Sequence, residues 1–365
     1  MNIAYLYLGR LSIGSGVHKK MIEQASQWRK AGHNVRFFHA SIDNENTFAS
    51  DSSENVFTTI SNIMFYGIKF KKDVEKYADI IYMRYSFICY DVWQLMKKIP
   101  TIVEINSNEE KEYRLDWHKS IKSKIKCFWN YFNRKALMSV VRGKVCVTYE
   151  LAIREKEKNL EIPCIVIPNA IIGDGICRRK KYHEKPLLVF IGSPDQSWHG
   201  VDKIIQLARK TIDSLEFVII GASVDSECIP KNVKCCGYLS KGEYFEYLMN
   251  ADIGIGSLAL HRKGMDEACP LKVREYLSVG LPIVIAYDDT AFHEKNLSRF
   301  EWVLKLPNSE NNVTSNIAKI EEFAYRNKDK IVDISDCAFM RSHALETERL
   351  SFFRKMLNEK NIIHR

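Results

Sequence analysis

The sequence predicts an α/β protein made of two doubly wound, Rossmann-like halves with a ligand cleft between them. Three observations predict it. Short apolar strands alternate with amphipathic helices, and this alternation runs through twice. A polar, glycine-bearing, basic stretch at residues 171–185 separates the two runs and reads as a linker. At 365 residues the chain also exceeds the usual size of one domain. The expected domains are 1–170 and 171–342, with a last helix over 343–365 packing back on the first.

The elements follow in order. IAYLYL is the opening strand, and a loop holding Gly9, Gly14 and Gly16 follows it. A helix is expected from about His18 to Ala31, apolar at Met21, Ile22, Ala25 and Trp28, with Gly32 ending it. VRFFHA completes a β-loop-α-β unit. ADIIYMRYS, TIVEINS, KVCVTYE and PCIVIPN read as further strands of the first half, with DVWQLMKKI as a helix. In the second half LLVFIG, EFVIIGA, NVKCCGY, ADIGIGS and LPIVIAY read as strands. VDKIIQLARK, KGEYFEYLMN and PLKVREYLSVG read as its helices. Strands alternating with helices imply parallel sheets.

Composition narrows the function classes. Hydrophobic residues make up 46% and charged residues 27%, the balance of an ordinary globular protein. The net charge of +9 is lopsided: 26 Lys+Arg face 18 Asp+Glu up to Pro168, against 28 and 27 beyond it. A basic first half points to an anionic partner there. The ten cysteines are scattered, with no C-x-x-C pair, which is reduced, cytoplasmic usage and neither a disulfide framework nor a metal site. No signal peptide opens the sequence and no run reaches the ~20 apolar residues of a membrane span. Membrane contact is therefore expected to be peripheral, on the inner face of the cell membrane. Residues 116–135 mix Lys119, Lys122, Lys124, Lys126, Arg134 and Lys135 with Trp117, Phe128, Trp129, Tyr131 and Phe132, a pattern suited to an anionic bilayer or to a solvated basic face. No recognition motif accompanies this charge, so nucleic acid is not an expected partner.

The most informative segment is Glu267-Ala-Cys-Pro-Leu-Lys-Val-Arg-Glu275. Pro270 suits the first turn of a helix, which leaves Glu267 in the loop before it and Glu275 inside it. The first N–H groups of that helix, near Leu271, form an anion site, and Lys272 adds a cation. Carboxylates on either side can grip hydroxyl groups. By spacing alone, both acids also read as ordinary surface residues.

The wider stretch, Asp266 to Val284, resembles the E-x7-E region of family 4 type retaining glycosyltransferases with the GT-B fold. Other segments match the family in order: Gly14-Ser-Gly-Val-His18, Ala31-Gly-His-Asn-Val35, Ile167-Pro-Asn-Ala170, Val189-Phe-Ile-Gly-Ser193, Trp198-His-Gly-Val201, Gly237-Tyr238 and Asn250-Ala-Asp-Ile253. The resemblance covers nearly the whole chain. It implies a GT-B enzyme, a hexosyltransferase that takes a sugar from a nucleoside diphosphate sugar to a glycan or lipid-linked acceptor, with cell-surface polysaccharide assembly as its setting. It implies no cofactor and no obligatory metal.

The resemblance also implies roles for residues. Glu267 holds the transferred sugar, Lys272 with the backbone at Leu271 holds the diphosphate, and Glu275 holds the ribose. Cys269 and Pro270 line the same turn; Ser193, His199, Gly200, Tyr238 and Lys263 complete the donor side, joined by Ser15 and Gly16 of the first glycine loop. Ser193 and His199 stand where many relatives carry Arg and Lys, which shifts phosphate binding onto Lys272 and onto Arg262 or Lys263. Arg84, Glu104 and Asn106 end two strands and are expected on the acceptor side, or simply close the strands. A non-hydrolysing nucleotide-sugar epimerase and a catalytically silent GT-B binding protein are the alternatives.

Overall fold

The structure is a computed structural model that describes residues 1–9, 14–41, 56–59, 68–115, 117, 121–173, 183–194, 196–222, 224 and 229–358. It divides into two compact units, Met1–Pro168 with Ser342–Arg365, and Asn169–Arg341. Most of the expected linker, residues 174–182, lies outside the described residues, as do residues 116 and 118–120 of the basic stretch.

The first unit is built on a parallel sheet of strands β1 (Asn2–Leu8), β2 (Asn34–Ser41), β3 (Val56–Thr59), β4 (Ile80–Arg84), β5 (Thr101–Ile105), β6 (Gly143–Cys146) and β7 (Cys164–Val166), in the order β3-β2-β1-β4-β5-β6-β7. β1 pairs on both sides, Ile3 with Val35 and with Ile80. Its residues Ile3 to Leu6 are all buried, as expected of a strand covered on both faces. The helix Gly16–Lys30 returns the chain, burying Met21, Ala25 and Trp28 along one stripe. It begins two residues before the sequence expectation, because the Ser15 side chain caps it by accepting from the His18 N–H at 3.2 Å.

The terminal helix Ser342–Asn358 belongs to this unit. Its Glu346 accepts from the Trp28 indole N–H at 2.8 Å, and its Phe353 ring lies 5.3 Å from Trp28 and 5.2 Å from Tyr82. Sequence alone did not show β3 or the helices Lys71–Tyr77, Glu109–Leu115 and Tyr149–Lys158.

The second unit repeats the plan. Its parallel sheet comprises β8 (Leu187–Ile191), β9 (Glu216–Ile220), β10 (Val233–Cys235), β11 (Ile253–Ile255), β13 (Ile283–Ile285) and β15 (Val303–Lys305), in the order β10-β9-β8-β11-β13-β15. A two-stranded ribbon, β12 (Glu267–Ala268) with β14 (Asp288–Asp289), stands apart from it. β8 pairs with β9 on one side and β11 on the other, so the strand order reverses there. Ligands of open α/β sheets bind beyond the carboxyl ends of the strands at such a reversal. The helices Val201–Lys210 and Ile317–Asn327 close this core with Ile204, Leu207, Ile320 and Phe323.

Candidate functional site

The second unit's site starts from the carboxyl ends of β8 and β11. The loop leaving β8 runs through Gly192 and Ser193 to a 3₁₀ turn, Ser197–His199. The loop leaving β11 is stitched to it: Leu258 N–H donates to the His199 carbonyl at 3.1 Å, and Ala259 N–H to that of Trp198 at 3.3 Å. Gly200 ends the turn with φ of 72°, and a side chain there would meet the Leu258 Cβ at 3.0 Å. Gly200 is thus required by the backbone and by this close approach.

The helix Leu271–Ser278 covers the two strands. Its Tyr276 hydroxyl accepts from the Ile191 N–H at 2.8 Å, and its ring lies so close to Gly254 that an added Cβ would stand 2.5 Å away. This packing lays the first turn of the helix over Phe190. The Lys272 Nζ sits 4.1 Å from the centroid of that ring, is out of solvent, and has no hydrogen-bond partner among the described residues. Burial brings the Lys272 ammonium down to about 7. The His199 Nδ1 is likewise buried without a hydrogen-bond partner among the described residues. Burial, then the nearby Lys272 and Lys263, push its imidazole down to about 2, against a hydrogen bond with the Ser193 backbone. His199 is neutral at working pH and can offer a hydrogen bond, whereas Lys272 carries charge below about pH 7, and an anion beside it favours the charged form.

Two details differ from the sequence reading. Pro270 is the cap residue before the helix, in extended conformation (φ −75°, ψ 138°), and the first helical residue is Leu271. Glu267 is not in a loop: it is buried in β12, in register with Asp288. The reason is a buried clamp around Arg274. Its guanidinium pairs with both carboxylate oxygens of Asp289 and donates to the Asn169 carbonyl at 2.8 Å and the Cys269 Sγ at 2.9 Å. The Asn169 N–H also donates to the Cys269 Sγ, at 3.0 Å, and the Asn169 amide donates to the Cys269 carbonyl. The Cys269 thiol, pushed up to about 11 chiefly by burial, stays neutral and serves this clamp. β12 and the start of the helix are therefore fixed by one buried network.

Glu275 lies on the same helix and accepts from the Tyr244 hydroxyl at 2.7 Å. That hydroxyl ties it to the helix Lys241–Asn250, whose capping box uses Ser240 and Glu243. Tyr238 follows the left-handed Gly237 and is 85% exposed. Lys263 is buried with its Nζ 4.8 Å from the Trp198 ring. Arg262 is committed elsewhere, to Asp202 at 2.8 Å and to Glu310. Lys272, His199, Lys263, Glu267, Cys269 and Glu275 thus gather around one helix start and the loops at the strand reversal. Sequence reading missed Phe190, Tyr244, Arg274 and Asp289. Arg274 had one signal: it shares the buried stripe of its helix with Val273, Tyr276 and Leu277.

In the first unit, Glu104 is buried and saturated. It accepts from Lys20 at 2.8 Å, Tyr82 at 2.8 Å and Asn106 at 3.1 Å, with Arg349 at 3.4 Å. Burial raises its carboxyl, but Lys20 and Arg349 outweigh this and hold it far below the usual carboxylate range. Asn106 also accepts from Lys20, at 3.1 Å. Arg84 stands opposite Glu104 in the β4–β5 register. The carboxylate joins β4 and β5 to the helices Gly16–Lys30 and Ser342–Asn358. Ser15 serves as the cap described above, next to Gly16 as the first helical residue.

No protein-family model matches the chain, and no curated protein matches it. Solved structures do. An alpha-glucosyltransferase in complex with UDP and a 13-mer DNA containing a HMU base is 14% identical with a TM-score of 0.59, over 96% of this chain and 99% of that one. A glycosyltransferase from Rickettsia africae ESF-5 is 12% identical, with a TM-score of 0.57 over 99% of both chains. Anabaena Alr3699/HepE in complex with UDP is 11% identical, with a TM-score of 0.60 over 97% of this chain and 100% of that one. Several of the alpha-glucosyltransferase structures hold DNA, so the expectation that set nucleic acid aside is corrected: chains of this fold include proteins bound to it. At these identities the likeness establishes architecture, and the chain has the GT-B fold, two parallel-sheet α/β units in succession.

Proposed function

We propose that the chain transfers a sugar, with retention of anomeric configuration, from a nucleoside diphosphate sugar to a glycan or lipid-linked acceptor in cell-surface polysaccharide assembly. The observation that carries this is Lys272: a buried ammonium with no hydrogen-bond partner among the described residues, in the first turn of a helix, at the reversal of strand order. A buried cation is costly unless an anion meets it, and a helix start is where phosphate fits. Structural neighbours that hold UDP, or UDP and glucose, support a nucleoside diphosphate as that anion.

In this reading the diphosphate lies against Lys272 and the backbone at Leu271, with His199 as a neutral hydrogen-bonding partner. Glu275, steadied by Tyr244, takes the ribose hydroxyls, and Glu267 takes hydroxyls of the sugar. The acceptor oxygen forms a bond to the anomeric carbon as the bond to the diphosphate oxygen breaks, and that departing oxygen takes the acceptor's proton. Lys272 and the helix dipole meet the leaving-group charge, so transfer is expected to persist in EDTA. A hydroxyl-bearing nucleic acid is a second acceptor class, favoured by the DNA in the alpha-glucosyltransferase structures.

The test incubates the protein with UDP- and GDP-sugars and glycan, lipid-linked and DNA acceptors. Glycosylated acceptor is expected with wild type, and Glu267→Ala is expected to lose about a hundredfold or more in turnover with an unchanged melting temperature. Turnover of Glu267→Ala near wild type contradicts the site. Conversion of the donor to an epimer without any acceptor contradicts the transfer.

A further inference from the structure

The helix Ile121–Met138 is built inside out. Its buried side carries Asn130, Asn133 and Arg134 together with Leu137 and Met138. The polar three are held by directional bonds: the Tyr85 hydroxyl donates to Asn130 at 2.8 Å, Asn133 both accepts from the Ile88 N–H at 2.9 Å and donates to its carbonyl at 2.7 Å, and Arg134 pairs with Glu155. The outward side carries Ile121, Ile125, Phe128, Trp129, Tyr131 and Phe132, between 49% and 76% exposed. The spacing of 121, 125, 128, 129 and 132 is one face of a helix. An ordinary surface helix reverses this arrangement, so this apolar face is left over after the fold has been satisfied.

Charge decides the occupant. Residues 117–138 hold four Lys beyond the helix's buried Arg134 and the exposed Lys135, with no acidic residue among them. Lys124 is exposed beside the Trp117 ring, and Lys135 is exposed at the far end of the apolar face. A second copy of the same face would bring cation against cation. Nucleic acid suits cations and flat rings, whereas Ile121 and Ile125 offer neither charge nor a stacking plane. Aliphatic side chains to sink, Trp and Tyr at polar depth and Lys at the rim match a bilayer interface with anionic headgroups.

We infer that the outward face of Ile121–Met138 docks the protein on an anionic lipid bilayer. The test is flotation of the full chain with phosphatidylcholine vesicles, with and without phosphatidylglycerol. Wild type is expected to float with the phosphatidylglycerol vesicles, less at high salt and little with phosphatidylcholine alone. Phe128→Glu with Phe132→Glu is expected to weaken binding by about a hundredfold without moving the melting temperature, since both rings already face water. Lys124→Gln with Lys135→Gln should lower binding only at low salt. Three results overturn the inference: no flotation of wild type with anionic vesicles, equal flotation of the Phe pair variant, or a wild-type dimer that this variant turns into monomer. Retention of a DNA duplex that the Phe pair variant abolishes, without vesicle binding, overturns it as well.

Discussion

Lys272 places its ammonium 4.1 Å from the centre of the Phe190 ring, so the cation of the helix start rests on the carboxyl end of strand β8, with no carboxylate partner among the described residues. The ring supports the charge without neutralising it, which keeps it available to an incoming anion.

Lys272→Met should therefore weaken nucleotide binding by about tenfold to a hundredfold while leaving the protein as stable as wild type or more so. The ammonium is held at about 7, below its ordinary 10.5, so folding stability rises with pH between those values as the unfolded chain holds the extra proton. An anion at the site raises the ammonium again. Donor binding then takes up a proton above pH 7, and affinity falls as pH rises through that value. Calorimetry in buffers of different ionisation enthalpy checks the uptake; a pH-independent affinity shared by wild type and Lys272→Met counts against it.

Arg274→Gln should lose about 3–5 kcal/mol of stability, because it leaves Asp289 buried and unpaired. Replacing both partners with apolar residues of similar size should restore much of the stability. It should not restore turnover, since β12 and Glu267 are positioned by the same network. Denaturant unfolding and transfer assays on the single and double variants separate the two effects.

Gly221→Ala probes the backbone under the site. Gly221 has φ of 78°, and a Cβ there would stand 2.2 Å from the Gly192 carbonyl oxygen. The substitution strains the left-handed position and pushes the Gly192–Ser193 loop that carries His199. A loss of about 1–3 kcal/mol in thermal unfolding is expected, with weaker nucleotide binding. Unchanged values for both would show that the loop tolerates displacement.

Glu104→Gln tests the first unit. The folded carboxyl titrates far below its ordinary range, so its contribution to stability is present above about pH 4–5 and is lost as pH falls towards the folded value. The variant should be less stable by about 3–5 kcal/mol at neutral pH, because Lys20 loses its buried carboxylate and Arg349 keeps only Glu346, and its stability should depend less on pH between 5 and 2. Acid titrations followed by circular dichroism decide it.

Much of this was legible in the sequence. Apolar runs such as Ile3–Leu6 and Phe217–Ile220 are covered on both faces and declare themselves by composition alone. The spacing of Glu267 and Glu275 around Pro270 pointed to a helix start, and Pro270 does stand immediately before the helix Leu271–Ser278. The geometry that fixes Glu267 was hidden, because the clamp joins Asn169, Arg274 and Asp289 across 100 positions and more of sequence. β12 and β14 are too short for any periodicity. Glu104 read as a strand-end polar residue open to a substrate, because its partners Lys20 and Arg349 lie on helices remote in sequence.

The most direct measurement is the titration of Lys272 by NMR, with labelled lysine in the free protein and in the presence of UDP; Lys272→Met assigns the signal. The Lys272 ammonium is expected to titrate near 7 when free and to titrate well above that once the diphosphate is bound, because the anion favours the charged form. A Lys272 signal that titrates like a surface lysine, or one that UDP leaves unmoved at saturation, would contradict this expectation.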